Sequence, residues 1–405
     1  MSSKKNSKHT LDALLNTNLK VLWFGCFMTG TGLSLIMPIL PLYIDTLGKF
    51  TQPQLTFWSG AVAAVSFLMT ALISPFWGRL ADRYGRRPML LRAALGMSVI
   101  MILTAFVGNV VELFIMRALF GLFSGFVSNA TALLAAQTPK EESGHVLGTL
   151  NTAMISGVLV GPIFGGLIAQ LFGYSHIFIV TGSLLFVAFL VTLFMVKENF
   201  KPPERKEVQS AKEVFRKLKN PQLIFSLFAA TLILQMTNMS VNPILSLYVR
   251  EVVGNSNNIQ ILAGIVAAAP GAVSIFAAPR FGDLGDRIGQ HKVLIFGFSL
   301  AAVVFIPMGF VTNVWQLVGL RLILGVSDAA LLPGIQALLA RNTPKEATSR
   351  IFSYQQSSQA GGSVIGPMLG GAVAGMLDYR YVFFVTSALA CVNLVNMIRV
   401  TRKAI

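Results

Sequence analysis

Twelve apolar runs of membrane-crossing length leave this chain one class of fold. They lie at about 20–43, 57–77, 89–108, 112–137, 145–170, 177–197, 221–249, 259–279, 291–310, 315–341, 348–375 and 380–398. A bilayer's hydrocarbon core takes roughly 20 helical residues to cross. In lipid every backbone N–H and C=O must find its partner inside the protein, so runs of this length are read as helices. Of the 405 residues, 54% are apolar and 12% charged, about half the charge of a water-soluble domain. The prediction is an all-α membrane protein with 12 transmembrane helices. A polar tail at 1–19, a charged connection at 198–220 and a short tail at 399–405 flank two blocks, 20–197 and 221–398. The first apolar run has no evident cleavage site and is read as a retained span.

The net charge of +16 raises the question of nucleic acid, but the placement of the charges answers it. With both termini on one side of the membrane, that side collects 27 of the 32 Lys and Arg. Only Lys49, Arg250 and Arg380 fall on the other side, and Arg117 and Arg321 stay inside spans. This asymmetry is the positive-inside pattern, which puts both termini in the cytoplasm and leaves no case for nucleic acid. The two cysteines, Cys26 and Cys391, sit in separate apolar spans and read as small packing residues. No metal-ligand spacing occurs among the four His, and no phosphate-binding loop or nucleophile elbow appears, so neither a metal, a cofactor nor an enzyme is expected.

The two blocks repeat one another. Gly78-Arg79-Leu80-Ala81-Asp82-Arg83-Tyr84-Gly85-Arg86-Arg87 joins the second and third spans, and Gly282-Asp283-Leu284-Gly285-Asp286-Arg287-Ile288-Gly289 returns 204 positions later, with Gln290 and His291 in place of the paired arginines. Pro-Ile-Leu-Pro-Leu-Tyr at 38–43 is echoed at 243–248. Arg117 and Gly121 have counterparts in Arg321 and Gly325. Thr138-Pro139-Lys140-Glu141 and Thr343-Pro344-Lys345-Glu346 both carry a helix-start pattern. Span 5 holds Gly157, Gly161, Pro162, Gly165 and Gly166; span 11 holds Gly362, Gly366, Pro367 and Gly370 at an offset of 205. Glycines four apart form a smooth strip on which another helix packs closely. Two parallel six-span repeats predict two pseudo-symmetric lobes.

The repeated basic turn, the arginine–glycine pattern of span 4 and the glycine–proline strip together resemble the major facilitator superfamily, the large family of two-lobed secondary transporters. The strip in span 5 is similar to that of its drug–proton antiporters. Phe76-Trp77-Gly78, Arg117-Ala118-Leu119 and Asn220-Pro221 resemble bacterial multidrug-resistance members, which implies export across the inner membrane. A monomer is expected. The resemblance implies a cavity lined by spans 1, 4, 7 and 10 and their neighbours, where the informative side chains are Phe120, Phe123, Asn151, Met154, Gln235, Asn238, Met239, Asn242, Gln355, Gln356 and Gln359. Adaptable Met and wide aromatic faces suit varied amphipathic compounds, whereas each Phe or Met taken alone reads first as helix packing. Finally, the resemblance places Asp82 beside the start of span 11.

Charge inside the spans is scarce. Asp328 is the one acid well within a span, two turns from Arg321 and about 10 Å along the axis. A charged, unpaired acid there costs several kcal/mol. Burial and a nearby arginine pull its proton affinity in opposite directions, which makes Asp328 the leading proton-coupling candidate. A structural ion pair and a water-facing acid are the alternatives. Arg321, Arg117 and Asp45 complete the proton-coupling set, Asp45 reading also as a solvated outer acid. Gly78, Asp82, Arg83, Gly85, Arg86 and Arg87, with Gly282, Asp286 and Arg287, are expected to gate, since a carboxylate near a helix N-terminus makes a latch worth roughly 0.3–2 kcal/mol. Within the 198–220 connection Val208, Ala211, Phe215 and Leu218 fall at helical spacing, read either as a helix on the membrane surface, its cations on anionic lipid, or as a solvated linker. The functional expectation is proton-driven export of amphipathic small molecules by alternating access. A transporter of one defined metabolite is the alternative, and a membrane sensor or enzyme a distant third.

Overall fold

A computed structural model describes residues 2–139, 143–198, 220–254, 258–343 and 348–404. The 198–220 connection therefore lies almost wholly outside the described residues. In chain order the helices are α1 (Ser2–Ile36), α2 (Leu40–Thr46), α3 (Gln52–Tyr84), α4 (Arg86–Thr104), α5 (Val110–Phe123), α6 (Phe126–Gln137), α7 (Ser143–Phe172), α8 (Tyr174–Met195), α9 (Pro221–Val253), α10 (Ile259–Ile288), α11 (Gln290–Met308), α12 (Val314–Arg341), α13 (Thr348–Met376) and α14 (Tyr379–Ala404). Among the described residues eleven stretches are long and apolar enough to cross a membrane, α5 and α6 counting as one. The twelfth, α13, has the length, 29 residues, but its first half carries Gln355, Gln356, Gln359 and several serines. A span so polar needs protein neighbours rather than lipid.

Helix ends follow local chemistry. Asn109 accepts a hydrogen bond from the Glu112 amide at 2.9 Å, while the Glu112 carboxylate accepts from the Gly108 amide and the Asn109 side chain. Asn220 and Asn313 cap α9 and α12 in the same manner. Gly85 and Gly289, at the same repeat position, have φ of 97° and 100° and turn the chain between α3 and α4 and between α10 and α11.

Several elements depart from expectation for identifiable reasons. The first span breaks after Ile36, and α2 restarts at Leu40. The echo in α9 runs unbroken through Pro243. The difference is Pro41, where the repeat has Ser246; a second proline removes another amide donor and crowds the carbonyl a turn before it. Span 4 splits into α5 and α6 at Gly125, whose φ is 117°, whereas α12 has Ala329 at that position and stays continuous. The polar start of the chain, expected as a tail, continues the helix of the first span from Ser2. Thr138 and Thr343 each stand at the end of the preceding helix. Each hydroxyl donates back to a carbonyl four residues earlier, Leu134 and Leu339, at 2.7 Å, and so closes the preceding helix. Whether either pattern starts the next helix falls on 140–142 and 344–347, which lie outside the described residues.

Contacts gather the chain into two compact units: Met1–Met37 with Met69–Arg205, and Pro38–Leu68 with Lys206–Ile405. In the first, α7 lies on α1. A Cβ on Gly157 would come within 2.6 Å of the Phe27 carbonyl, and Gly161 and Gly165 sit as closely on Thr31 and Leu35. In the second, α13 lies on α9 the same way. Gly362, Gly366 and Gly370 meet the carbonyls of Leu232, Met236 and Ser240, each 205 positions on from its counterpart. The repeat thus recurs contact by contact. The second unit also holds α2 and the first half of α3: Gly371 packs on Thr56, Gly60 on Pro367, and Gly375 on Thr56 and Pro53.

Candidate functional site

The first basic turn is tied down from three directions. Arg86 donates to Asp82 at 2.6 Å, one helical turn away across Gly85. The Glu198 carboxylate accepts from the backbone amides of Arg86, at 2.9 Å, and Arg87, at 2.7 Å. It thereby caps the N-terminus of α4 with both oxygens, where unsatisfied amides and the helix dipole favour an anion. The Arg87 guanidinium donates to the Leu193 carbonyl at the end of α8. Arg83 is exposed and lies over the Tyr84 ring. In the second turn Asp286 accepts from Gln290 at 3.1 Å, four residues on. Gln290 therefore keeps the hydrogen bond that Arg86 makes in the first copy. The missing charge comes from Arg341 at the end of α12, 2.7 Å from Asp286. Arg287 is exposed. Gly78 and Gly282 face open space, where an added Cβ would meet nothing within 4 Å. Asp82 belongs to the first unit and the start of span 11 at Thr348, to which it was assigned, to the second.

The charged residues within the spans are placed as follows. Arg117 is 2% exposed on α5, its guanidinium 5.5 Å from the centre of the Phe120 ring. Arg321 is 7% exposed on α12 and donates from Nε to the Val266 carbonyl of α10 at 3.3 Å. Asp328, half-buried, accepts a long hydrogen bond of 3.4 Å from the Asn238 amide of α9. Among the described residues no ion pair joins Arg321 to Asp328, so the acid is held by an amide rather than neutralised by its neighbour. Asp45, on α2, pairs with Arg250 near the C-terminal end of α9 at 2.5 Å. It is therefore not a freely solvated acid.

The second unit gathers most of the polar side chains that sequence reasoning assigned to a pocket. Gln235 donates to Ser363 at 3.0 Å, and Ser363 in turn donates to the Gln359 carbonyl. Asn242 donates to the Met239 sulfur, and Met239 packs on Gly366. Gln355 is buried and Gln356 exposed. Asn238 and Gln235 thus give α9 a polar cluster of contacts, to Asp328 of α12 and Ser363 of α13 respectively. The first unit differs. Phe120 is buried, Phe123 fills the space beside Gly96, Met154 packs on Gly30, and Asn151 is exposed. Of this group only Asn151 presents a polar group to the surface.

Some participants went unread in the sequence. Glu198 sits in no motif. Ser363 lies hidden in the glycine strip. Arg92, which was counted with the basic face, stacks 3.8 Å over the Trp77 ring and donates to the Leu122 and Ser124 carbonyls at the α5–α6 break. The three arginine-to-ring contacts of the first unit gave no sequence signal beyond the residues themselves.

The Major Facilitator Superfamily profile matches residues 22–276 and 227–404. The chain belongs to the Major Facilitator Superfamily. It is a multi-pass membrane protein of transporter fold, not an enzyme. Multidrug resistance protein MdtG of Salmonella heidelberg is 48% identical over 391 residues, covering 96% of this chain and 97% of that protein. Multidrug resistance protein MdtG of Proteus mirabilis is 47% identical over 378 residues, covering 93% and 94%. Among solved structures, a bacterial homologue of the human lysosomal transporter Spinster aligns with a TM-score of 0.80 at 13% identity, covering 96% of this chain and 97% of the other. The human organic anion transporter MFSD10 aligns at 0.70 and 14%, covering 95% and 99%. At that identity these two speak for the fold.

Proposed function

We propose that this protein is a secondary active multidrug efflux transporter of the bacterial inner membrane, exporting amphipathic small molecules in exchange for protons. The observation that carries this reading is near-half identity, over almost the full chain, to proteins named for multidrug resistance. Both termini lie in the cytoplasm, from the placement of 27 of 32 cationic residues. The two repeats, 20–197 and 221–398, act as lobes that alternate access.

Asp328 carries the proton. An amide at 3.4 Å orients the carboxylate without neutralising it, and Arg321, two turns away, biases its charge state. Gln235, Asn238, Asn242 and Gln359 offer polar handles beside Met239, a combination that accepts varied amphiphiles. Inside the spans Arg117 lies against the Phe120 ring and Arg321 donates to the Val266 carbonyl. The turns around Asp82 and Asp286 gate the cytoplasmic side, and the Asp45–Arg250 pair ties α2 to α9 on the outer side.

A resistance panel of unrelated amphiphiles, in cells with and without the gene, tests the proposal. Export predicts raised resistance to several compounds, lost with a protonophore. Resistance to one compound class alone would favour a transporter of a defined metabolite, and no protection at all would overturn efflux.

A further inference from the structure

A groove of about 680 Å³ runs along α9 and α14 in the second unit. Its walls are apolar and exposed: Phe225 is 54%, Val392 55% and Val395 44% accessible. Exposed apolar side chains on membrane-crossing helices face hydrocarbon. The helices run antiparallel in fixed register, with Asn396 donating to the Ser226 carbonyl and Asn393 to that of Ala230. One end of the groove is therefore polar, formed by Ser226, Asn396 and Arg399, and the other apolar, formed by Ile233 and Cys391. From Arg399 to Cys391 is eight residues, about 12 Å of helix, the reach of half an acyl chain. Arg399 is exposed and, among the described residues, enters no ion pair.

We infer that this groove is a binding site for an anionic glycerophospholipid, one acyl chain lying between α9 and α14 and the phosphate headgroup on Arg399. Charge complementarity selects the occupant. A zwitterionic lipid fills the apolar part equally well, but a net negative headgroup adds the attraction of a cation at the membrane surface, worth about fivefold in affinity at one basic residue. A lone apolar groove would show no such preference. The site sits at the α9 start, immediately after the 198–220 connection, so its occupancy steadies the point where the second repeat begins.

The chain supplies its own probe. Cys391 is exposed in the groove, whereas Cys26 is fully buried, so a small thiol-reactive fluorophore attaches at one position. The labelled full-length protein is placed in vesicles of phosphatidylcholine doped with either brominated phosphatidylglycerol or brominated phosphatidylcholine, whose bromines quench by contact. The expected result is half-maximal quenching at about one-fifth the fraction of the brominated anionic lipid. Arg399→Gln brings the two curves together, and Arg399→Lys keeps them apart. Equal curves in the wild type, or a preference that survives Arg399→Gln, would overturn the assignment.

Discussion

At the scale of single residues, the protein places few charges in its spans and gives each a specific contact. Asp328 is the one on which the proposed coupling rests. Asp328→Asn preserves size and the Asn238 contact but cannot exchange a proton, so substrate-driven proton movement is expected to disappear while the protein folds and binds. Proton flux measured in proteoliposomes beside dye binding to the purified variant checks this, and full flux would remove Asp328 from the mechanism. Glu198 makes a structural claim of the same grain. Its two oxygens satisfy two amides at the start of α4, and Glu198→Ala is expected to cost about 1–2 kcal/mol of stability, read as a lowered melting temperature, with a smaller loss for Glu198→Gln. For Asp45 and Arg250, roughly a third exposed each, solvent screening limits the pair to about 0.2–1 kcal/mol. A double-mutant cycle with Asp45→Asn and Arg250→Gln reads that coupling directly.

At the scale of elements, the glycine strips set how close α7 comes to α1 and α13 to α9. Alanine at Gly157 would push against the Phe27 carbonyl and the Thr31 amide, backbone that cannot swing away, at an expected cost of about 1–3 kcal/mol. On the same helix Gly148 faces open space, and Gly148→Ala is expected to be neutral or to stabilise by up to about 1 kcal/mol. Thermal unfolding of the two variants side by side makes the comparison. These strips were legible in the sequence because a spacing of four survives in both repeats. Span positions were legible because an apolar run of fixed length has one meaning in a membrane. The breaks were not: Pro41 and Gly125 each lack a counterpart in the other repeat, and single residues of that kind leave a hydropathy profile unchanged. The Glu198 cap was invisible for another reason, since it joins residues 112 positions apart. Asp328 could be singled out from its rarity, whereas its Asn238 partner, 90 positions away, emerged only from the packing of α9 against α12.

At the scale of the whole molecule, one six-span design is used twice, with the same carbonyls under the same glycines, and the copies have diverged where chemistry is needed. The first keeps the full basic turn. The second has traded an arginine for Gln290 and borrowed Arg341, and it alone carries an acid deep in its spans together with the run of amides on α9 and α13. Under the proposed function, substrate-coupled proton exchange would centre on the second repeat. Exchanging the polar cluster for apolar residues, as in Asn238→Leu, is expected to reduce transport at least tenfold, while Asn151→Leu in the first repeat leaves most of it, as dye-efflux rates in cells would report.

The most direct test uses sealed proteoliposomes with an acidic lumen, a fluorescent amphiphilic dye outside and a pH reporter inside, read against protein-free vesicles. Proton-coupled export predicts that dye accumulates above the protein-free level while adding dye speeds alkalinisation of the lumen, that dye accumulation vanishes once a protonophore has collapsed the gradient, and that Asp328→Asn abolishes the dye-dependent alkalinisation. Dye accumulation that survives the protonophore and leaves the lumenal pH untouched would contradict it.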